Sequence, residues 1–156
     1  MEVNIPGRGI IRIENLLLDY NGTIACDGKV IPLVKEKIEA ITKVGISVHL
    51  VTADTHGTAG DQCVNMTIEI QIFHNSNVAE NKREIVEKLG AENCMCIGNG
   101  FNDGSMFEAC SISIIVMGAE GCCTKSLMKA DIVCKNIEDA LDLILKPNRI
   151  IATLRG

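Results

Sequence analysis

Four polar segments of the sequence together offer the groups needed for chemistry on a phosphoryl group. Asp19 directly follows "LLL", Thr52 follows "VHLV", Lys82 lies near the start of a helical pattern, and Asp103 ends the segment "GNGFND". A carboxylate such as Asp19 can attack phosphorus and form an aspartyl-phosphate. Because nucleophile and phosphate are both anionic, the attack needs a metal ion and a cationic side chain to neutralise the developing charge.

Each of these residue types suits a separate task in that reaction. Asp19 and Asp103 offer the hard oxygens that Mg²⁺ prefers, and Lys82 offers a compact positive charge. Hydroxyl and backbone N–H groups bind phosphate oxygens. The groups expected to do so are the side chain of Thr52 and the amides near Gly22 and Ala53.

A parallel sheet would bring these distant segments together, because its ligands bind beyond the carboxyl ends of the strands. Short, continuous apolar runs predict strands that are covered on both faces. The predicted strands are 15–18, 46–51, 94–97, 112–117 and 131–133. The predicted helices lie at 32–44, 56–65, 79–89, 102–109, 123–129 and 136–145. This alternation indicates an α/β fold with helices on both faces of the sheet.

Two further segments have the pattern of hairpin strands. They are 10–13 and 23–31, and the second contains the turn signal Asp27-Gly28. The segments 1–9 and 147–156 either pair as edge strands or cover one side of the sheet; the sequence leaves both open.

Composition excludes several classes of function. The chain has 156 residues, is 47% apolar and has a net charge of -5 with no basic cluster, so nucleic acid is not expected as a partner. No apolar run is long enough for a membrane span and no secretory signal is visible, so we expect a cytoplasmic protein without membrane contact. The eight cysteines follow no zinc spacing, and we expect them to be reduced core residues, with a metal or redox role as the alternative.

Four motifs in order resemble the haloacid dehalogenase-like superfamily, and within it the phosphorylation domain of P-type ATPases. "DYNGT" (19–23) is similar to the phosphorylation motif, and "VTADTHGTA" (51–59) to the second motif and its helix. "NKREIVEKL" (81–89) is similar to the lysine segment, and "GNGFNDGSMFEACSISIIVMGAEG" (98–121) to the hinge motif and the following strand. The resemblance covers roughly residues 15–145 and implies a three-layer Rossmann-like sheet in a single domain, with a β-hairpin flap and no large cap.

The resemblance also implies a role for each site residue. Asp19 would be the nucleophile, and the backbone carbonyl of Asn21 would be a metal ligand. The phosphate-binding residues would be Gly22, Thr52, Ala53, Lys82 and Asn102. The metal ligands would be Asp19, Asn21, Asn99 and Asp103. The plainer alternative is that polar residues such as Asp54 and Asn102 only cap helices or form turns.

Two positions depart from the pattern of the superfamily. Its phosphatases carry an Asp acid–base two residues after the nucleophile, where this chain has Asn21, and an amide does not exchange a proton usefully. A metal-binding Asp would fall at Asn99, so the metal site has one negative charge fewer. We therefore expect a slow, Mg²⁺-dependent phosphohydrolase that acts through phospho-Asp19 on a small phosphorylated molecule or a phosphoprotein. The alternative is a phosphate- or metal-binding regulatory module, and a homo-oligomer is compatible with either.

Overall fold

The computed structural model describes residues 1–156, whose centre is a six-stranded, entirely parallel sheet. The ten strands are β1 (Glu2–Ile5), β2 (Gly9–Arg12), β3 (Asn15–Leu18), β4 (Ala25–Cys26), β5 (Lys29–Val30), β6 (Ser47–Thr52), β7 (Glu69–Ile72), β8 (Cys94–Gly98), β9 (Ile112–Val116) and β10 (Ile132–Cys134). The central sheet has the order β10-β9-β8-β3-β6-β7. β3 therefore lies in the middle of the sheet, between β8 and β6.

The chain has seven α-helices, of which the last two follow the final strand. They are α1 (Val34–Lys43), α2 (Ala59–Cys63), α3 (Val78–Lys88), α4 (Gly104–Ala109), α5 (Thr124–Leu127), α6 (Ile137–Leu145) and α7 (Asn148–Leu154). Single 3-10 turns at Ala91–Asn93 and Phe101–Asp103 precede β8 and α4. None of these helices has the length and hydropathy that crossing a bilayer requires.

Consecutive residues of β3 point into two separate apolar layers. Leu16 and Leu18 belong to a cluster of 30 buried residues that includes side chains of α1, α2, α6 and α7. Leu17 belongs to a cluster of 8 that includes side chains of α3 and α4. Because side chains alternate across a strand, the sheet is covered on both faces, which confirms the predicted three-layer α/β fold.

The predicted strands and helices are present, with ends shifted by up to a few residues. In three segments the structure differs from the prediction or decides between alternatives that the sequence left open. Residues 69–72 form the edge strand β7, which the sequence pattern missed. The segment 10–13 overlaps β2, which pairs with β1 rather than with the 23–31 hairpin. The segment 147–156 contains α7, which packs against β1 and does not form a strand.

The flap hairpin is the short pair β4–β5, which turns at Asp27-Gly28. Both turn residues have positive φ, 49° and 73°, as a tight hairpin turn requires. The hydroxyl groups of Tyr20 and Thr58 both donate to the carbonyl of Gly28, at 3.0 and 2.8 Å. The backbone N–H of Asp27 donates to Glu120 on the opposite side, at 2.7 Å. The hairpin is thus held on two sides.

The cysteines carry no disulfide. Cys94 and Cys96 are fully buried on the same face of β8, as predicted, and they pack in the smaller apolar cluster. Burial raises the pKa of the Cys94 thiol to about 12 and that of Cys96 well above its ordinary value. These thiols therefore stay neutral and pack as small apolar side chains.

Candidate active site

The predicted site residues meet at the carboxyl ends of β3, β6 and β8, which are neighbours in the sheet. An open cavity of about 150 Å³ lies there. Its lining residues are Asp19, Asn21, Thr52, Ala53, Asp54, Thr55, Asn99, Gly100 and Asn102. Thr55 and Gly100 lie within the motifs at 51–59 and 98–121, but no role was predicted for either of them.

Lys82 joins the nucleophile loop to the loop after β8. Its ammonium Nζ donates to Asp19 Oδ1 and to Asp103 Oδ1, both at 2.6 Å, and to Asn102 Oδ1 at 3.2 Å. Lys82 and Asp103 have no exposed surface, and Asp19 is 7% exposed. The lysine on α3 therefore lies where a positive charge can act on a group bound at Asp19.

Asp103, predicted as a metal ligand, is fully buried and is not among the residues that line the cavity. Its second oxygen, Oδ2, accepts hydrogen bonds from the backbone N–H groups of Asn99 and Gly100, at 2.9 and 2.7 Å. Gly98 is needed for this approach, because a Cβ there would lie 2.4 Å from Asp103 Cγ. Through these hydrogen bonds the carboxylate of Asp103 fixes Lys82 and the loop after β8.

The ionisation of the three buried groups is linked. Burial raises the pKa of Asp19 to about 6, although Lys82 opposes that shift. Burial alone would lower the pKa of Lys82, but the carboxylates of Asp103 and Asp19 outweigh it and raise that pKa. The lysine is therefore charged at neutral pH, while Asp19 takes up a proton in mildly acidic solution.

Asn99 connects the loop after β3 with the loop after β9. Its Oδ1 accepts a hydrogen bond from the Thr23 hydroxyl at 3.2 Å, and its Nδ2 donates to the carbonyl of Gly121 at 3.0 Å. Gly22 packs directly against this amide: its φ is +75°, and a Cβ there would lie 2.1 Å from Asn99 Nδ2. An amide serves this position well, because it donates and accepts at once.

Asn21 has a buried side-chain oxygen without a partner. Its Oδ1 accepts no hydrogen bond from the protein, although the residue lines the cavity beside Asp19. Buried polar atoms are nearly always paired. The unpaired oxygen therefore indicates a place where a bound group, a cation or a hydrogen-bond donor, completes the structure.

The loop after β6 contains Thr52, predicted to bind phosphate, and Asp54, which forms a turn. Thr52 is 1% exposed, and its hydroxyl accepts from the backbone N–H of Asp54 at 2.9 Å. Asp54 has φ 47°, and its two oxygens accept from the N–H groups of Thr58 and Ala59 at the start of α2. Asp54 thus follows the plainer interpretation of a helix cap.

Asn102 behaves differently from Asp54. It makes no helix-capping hydrogen bond, and its side-chain oxygen accepts from Lys82 instead.

The flap hairpin was expected to shield the site, but no residue of 23–31 lines the cavity. The hairpin lies beside the site and does not cover it.

Sequence comparison identifies one curated relative. The chain is 38% identical over 94 residues to an uncharacterized protein of Methanocaldococcus jannaschii, and the match covers 99% of that protein and 58% of this chain. The chain belongs to the family of that protein. No protein-family model matches the chain.

Solved structures identify the fold. The 3-deoxy-D-manno-octulosonate 8-phosphate phosphatase of Moraxella catarrhalis, in complex with magnesium ion, phosphate ion and KDO, matches with a TM-score of 0.71 and 17% identity, covering 92% of this chain and 94% of that one. The cobalt-bound deoxy-D-mannose-octulosonate 8-phosphate phosphatase of Haemophilus influenzae matches at 0.72 and 14%, covering 93% and 94%. A putative HAD superfamily (subfamily III A) hydrolase of Legionella pneumophila matches at 0.73 and 14%, covering 91% and 87%.

The fold is that of the haloacid dehalogenase-like superfamily. This finding confirms the architecture expected from the four motifs. The narrower resemblance to P-type ATPases stays a prediction from those motifs alone.

Replacing Lys82 with Met tests the buried ion pairs. The variant leaves two carboxylates facing each other without a cation, which should destabilise the fold at pH 7.5 by about 3 kcal/mol. One carboxylate then holds a proton in the folded state, so its folded pKa exceeds its unfolded pKa and stability falls as pH rises. Urea unfolding should therefore show a larger deficit against wild type at pH 7.5 than at pH 5.

Lys88→Met is the matched control, because Lys88 is an exposed residue of the same helix. It should leave the stability within about 0.5 kcal/mol at both pH values. An equal deficit for Lys82→Met at the two pH values would contradict the assigned charges.

Proposed function

We propose that the protein is a phosphohydrolase that acts through an aspartyl-phosphate on Asp19, with the help of Mg²⁺, and that its turnover is slow. The observation that carries the proposal is the position of Asp19: it lines the cavity while Lys82 Nζ lies 2.6 Å from its carboxylate. The magnesium, phosphate and KDO complex of the Moraxella phosphatase, on the same fold, supports the choice of reaction.

In the first step, a carboxylate oxygen of Asp19 forms a bond to phosphorus while the bond from phosphorus to the leaving-group oxygen breaks. Lys82 reduces the repulsion between the carboxylate and the phosphoryl oxygens. The Thr52 hydroxyl and the amides of the loops around the cavity hold those oxygens in place. In the second step, water attacks phosphorus, releases inorganic phosphate and restores the carboxylate of Asp19.

The donors that line the cavity fit a hard divalent cation, although they carry little charge. They are the carboxylate of Asp19, Asn21 with its unpaired buried oxygen, and the amide oxygen of Asn99. When bound, Mg²⁺ would neutralise negative charge on the phosphoryl group. In this proposal Asp103 acts through Lys82 and Asp54 caps α2, so Asp19 is the anionic donor beside the two amides and metal binding should be weak.

Asn21 is the reason to propose slow turnover. It stands two residues after the nucleophile and lines the cavity, but its amide neither protonates a leaving group nor deprotonates water. General acid–base catalysis typically contributes about 10²–10⁴-fold to a rate. We expect the phosphoryl group to be transferred to Asp19 from substrates with good leaving groups, and the phosphoenzyme to hydrolyse slowly.

A second candidate function is a phosphate- or metal-binding regulatory module that does not turn over. The hydrogen bonds of Asn99 favour it, because this amide ties two loops together where a metal-binding acid is expected. In either case the proposed partner is a small phosphorylated molecule or a phosphoprotein. The proposed location is the cytoplasm, where the eight unpaired thiols would stay reduced.

The first test is the isosteric variant Asp19→Asn. With Mg²⁺ present, wild type should hydrolyse p-nitrophenyl phosphate and acetyl phosphate, and the variant should lose more than about 10³-fold in kcat. Asp61→Asn, an exposed position of α2 outside this cavity, serves as the control. Activity that survives in Asp19→Asn would remove Asp19 from the mechanism, and a wild type without turnover would favour the regulatory module.

The second test restores the missing acid with Asn21→Asp. If the amide limits hydrolysis, kcat for acetyl phosphate should rise by about 10²-fold, because water can then be deprotonated. Asn4→Asp, an exposed position of β1, provides the control for an added charge. An unchanged kcat would mean that another step limits turnover.

A further inference from the structure

Phe101 is an exposed aromatic residue whose two chain neighbours line the candidate active site. The protein has only four aromatic residues, three Phe and one Tyr. Tyr20 and Phe107 are buried, whereas Phe101 is 68% exposed. Isolated exposed apolar residues are common, so exposure alone carries no argument. The position of Phe101 in the chain is informative, because it lies between Gly100 and Asn102, which both line the cavity.

The backbone around Phe101 is held from two sides. The hydroxyl of the buried Ser126 donates to the Phe101 carbonyl at 3.3 Å. On the other side, Asn102 accepts from Lys82, and Asp103 accepts from the backbone N–H of Gly100. The ring is thus carried by a fixed 3-10 turn, which suits a binding surface better than a free loop.

Lys125 lies over this ring and has no acidic partner. Its Nζ is 5.8 Å from the ring centroid of Phe101, within the range of a cation–π contact. None of the ion pairs in the structure involves Lys125. An exposed aromatic ring and an unpaired ammonium therefore lie side by side, on and beside the turn that carries Gly100 and Asn102.

The size of the cavity determines what must lie on this surface. At about 150 Å³ it is well below the roughly 300–1,000 Å³ of pockets that enclose a drug-sized ligand. It has room for a phosphoryl group, but the rest of a substrate must extend over the rim. Phe101 is 68% exposed, so its ring is accessible to that part of a substrate.

We propose that Phe101 and Lys125 form a subsite for the leaving group, and that the substrate is a phosphate monoester whose leaving group has a planar ring with an acidic substituent. The inference rests on the proposed function and names its substrate class. The ring of the leaving group packs on Phe101, and the acidic substituent lies near the ammonium of Lys125.

Phe101→Leu tests the aromatic contact, because Leu keeps an apolar side chain and removes the planar face. The kcat/KM for p-nitrophenyl phosphate, divided by that for acetyl phosphate, should fall by about three- to tenfold, since only the first substrate has a ring. Ile10→Ala is the matched control: Ile10 is 64% exposed on β2, away from this cavity, and the ratio should stay at the wild-type value.

Lys125→Met tests the acidic substituent. Wild type should have a higher kcat/KM for 4-carboxyphenyl phosphate than for phenyl phosphate. The ratio of the two values should be about two- to fivefold smaller in the variant. Raising the salt concentration should reduce the preference in wild type. A preference that is equal in wild type and variant would overturn the role of Lys125.

Binding of phenylphosphonate and methylphosphonate separates this inference from the proposed function, because neither probe needs turnover. Tighter binding of phenylphosphonate by wild type, lost in Phe101→Leu, supports the subsite even in a protein that hydrolyses nothing. Equal changes for both probes in Phe101→Leu overturn the subsite alone. Failure of wild type to bind either phosphonate or to hydrolyse either ester overturns both the subsite and the proposed function.

Discussion

The structure depends on one buried cation, the ammonium of Lys82, shared by Asp19 and Asp103. Removing ions from water costs several kcal/mol each, and only close geometry with further hydrogen bonds compensates for it. Here the loop after β3 supplies one carboxylate, α3 the lysine and the loop after β8 the other carboxylate. The backbone amides of Asn99 and Gly100 also bind the second carboxylate. These elements must keep their mutual positions, which fixes the carboxylate of Asp19, the proposed nucleophile.

Amides take the place of acids at two points around this charge cluster. Asn99 ties two loops together through hydrogen bonds that a carboxylate could make only in part, because it cannot donate to Gly121. Asn21 leaves a buried oxygen without a partner beside the nucleophile. In the proposed mechanism, the site keeps the groups for forming a phosphoenzyme and lacks an acid that would hydrolyse it rapidly.

The sequence predicted the central strands well, because runs such as "LLL" and "CMCI" are apolar on both faces. The sequence pattern did not predict β7, because "EIQI" is an edge strand whose residues are exposed or half-buried. α7 was left open because "NRIIATL" is rich in β-branched residues, and its packing against β1 decides its form. The sequence predicted that Asp19, Thr52 and Lys82 meet, because two of them follow strands and the third lies near the start of a helix. It did not predict the hydrogen bonds of Asp103, because these involve backbone amides that no sequence pattern reveals.

The central claim is that Asp19 accepts a phosphoryl group beside Lys82. Peptide mass spectrometry after incubation with acetyl phosphate and Mg²⁺ and quenching in acid tests it directly. The account predicts one phosphoryl group on the peptide that contains Asp19, present long after mixing and removed by hydroxylamine, as an acyl phosphate would be. An unlabelled Asp19 peptide, or a label on another residue, would contradict it.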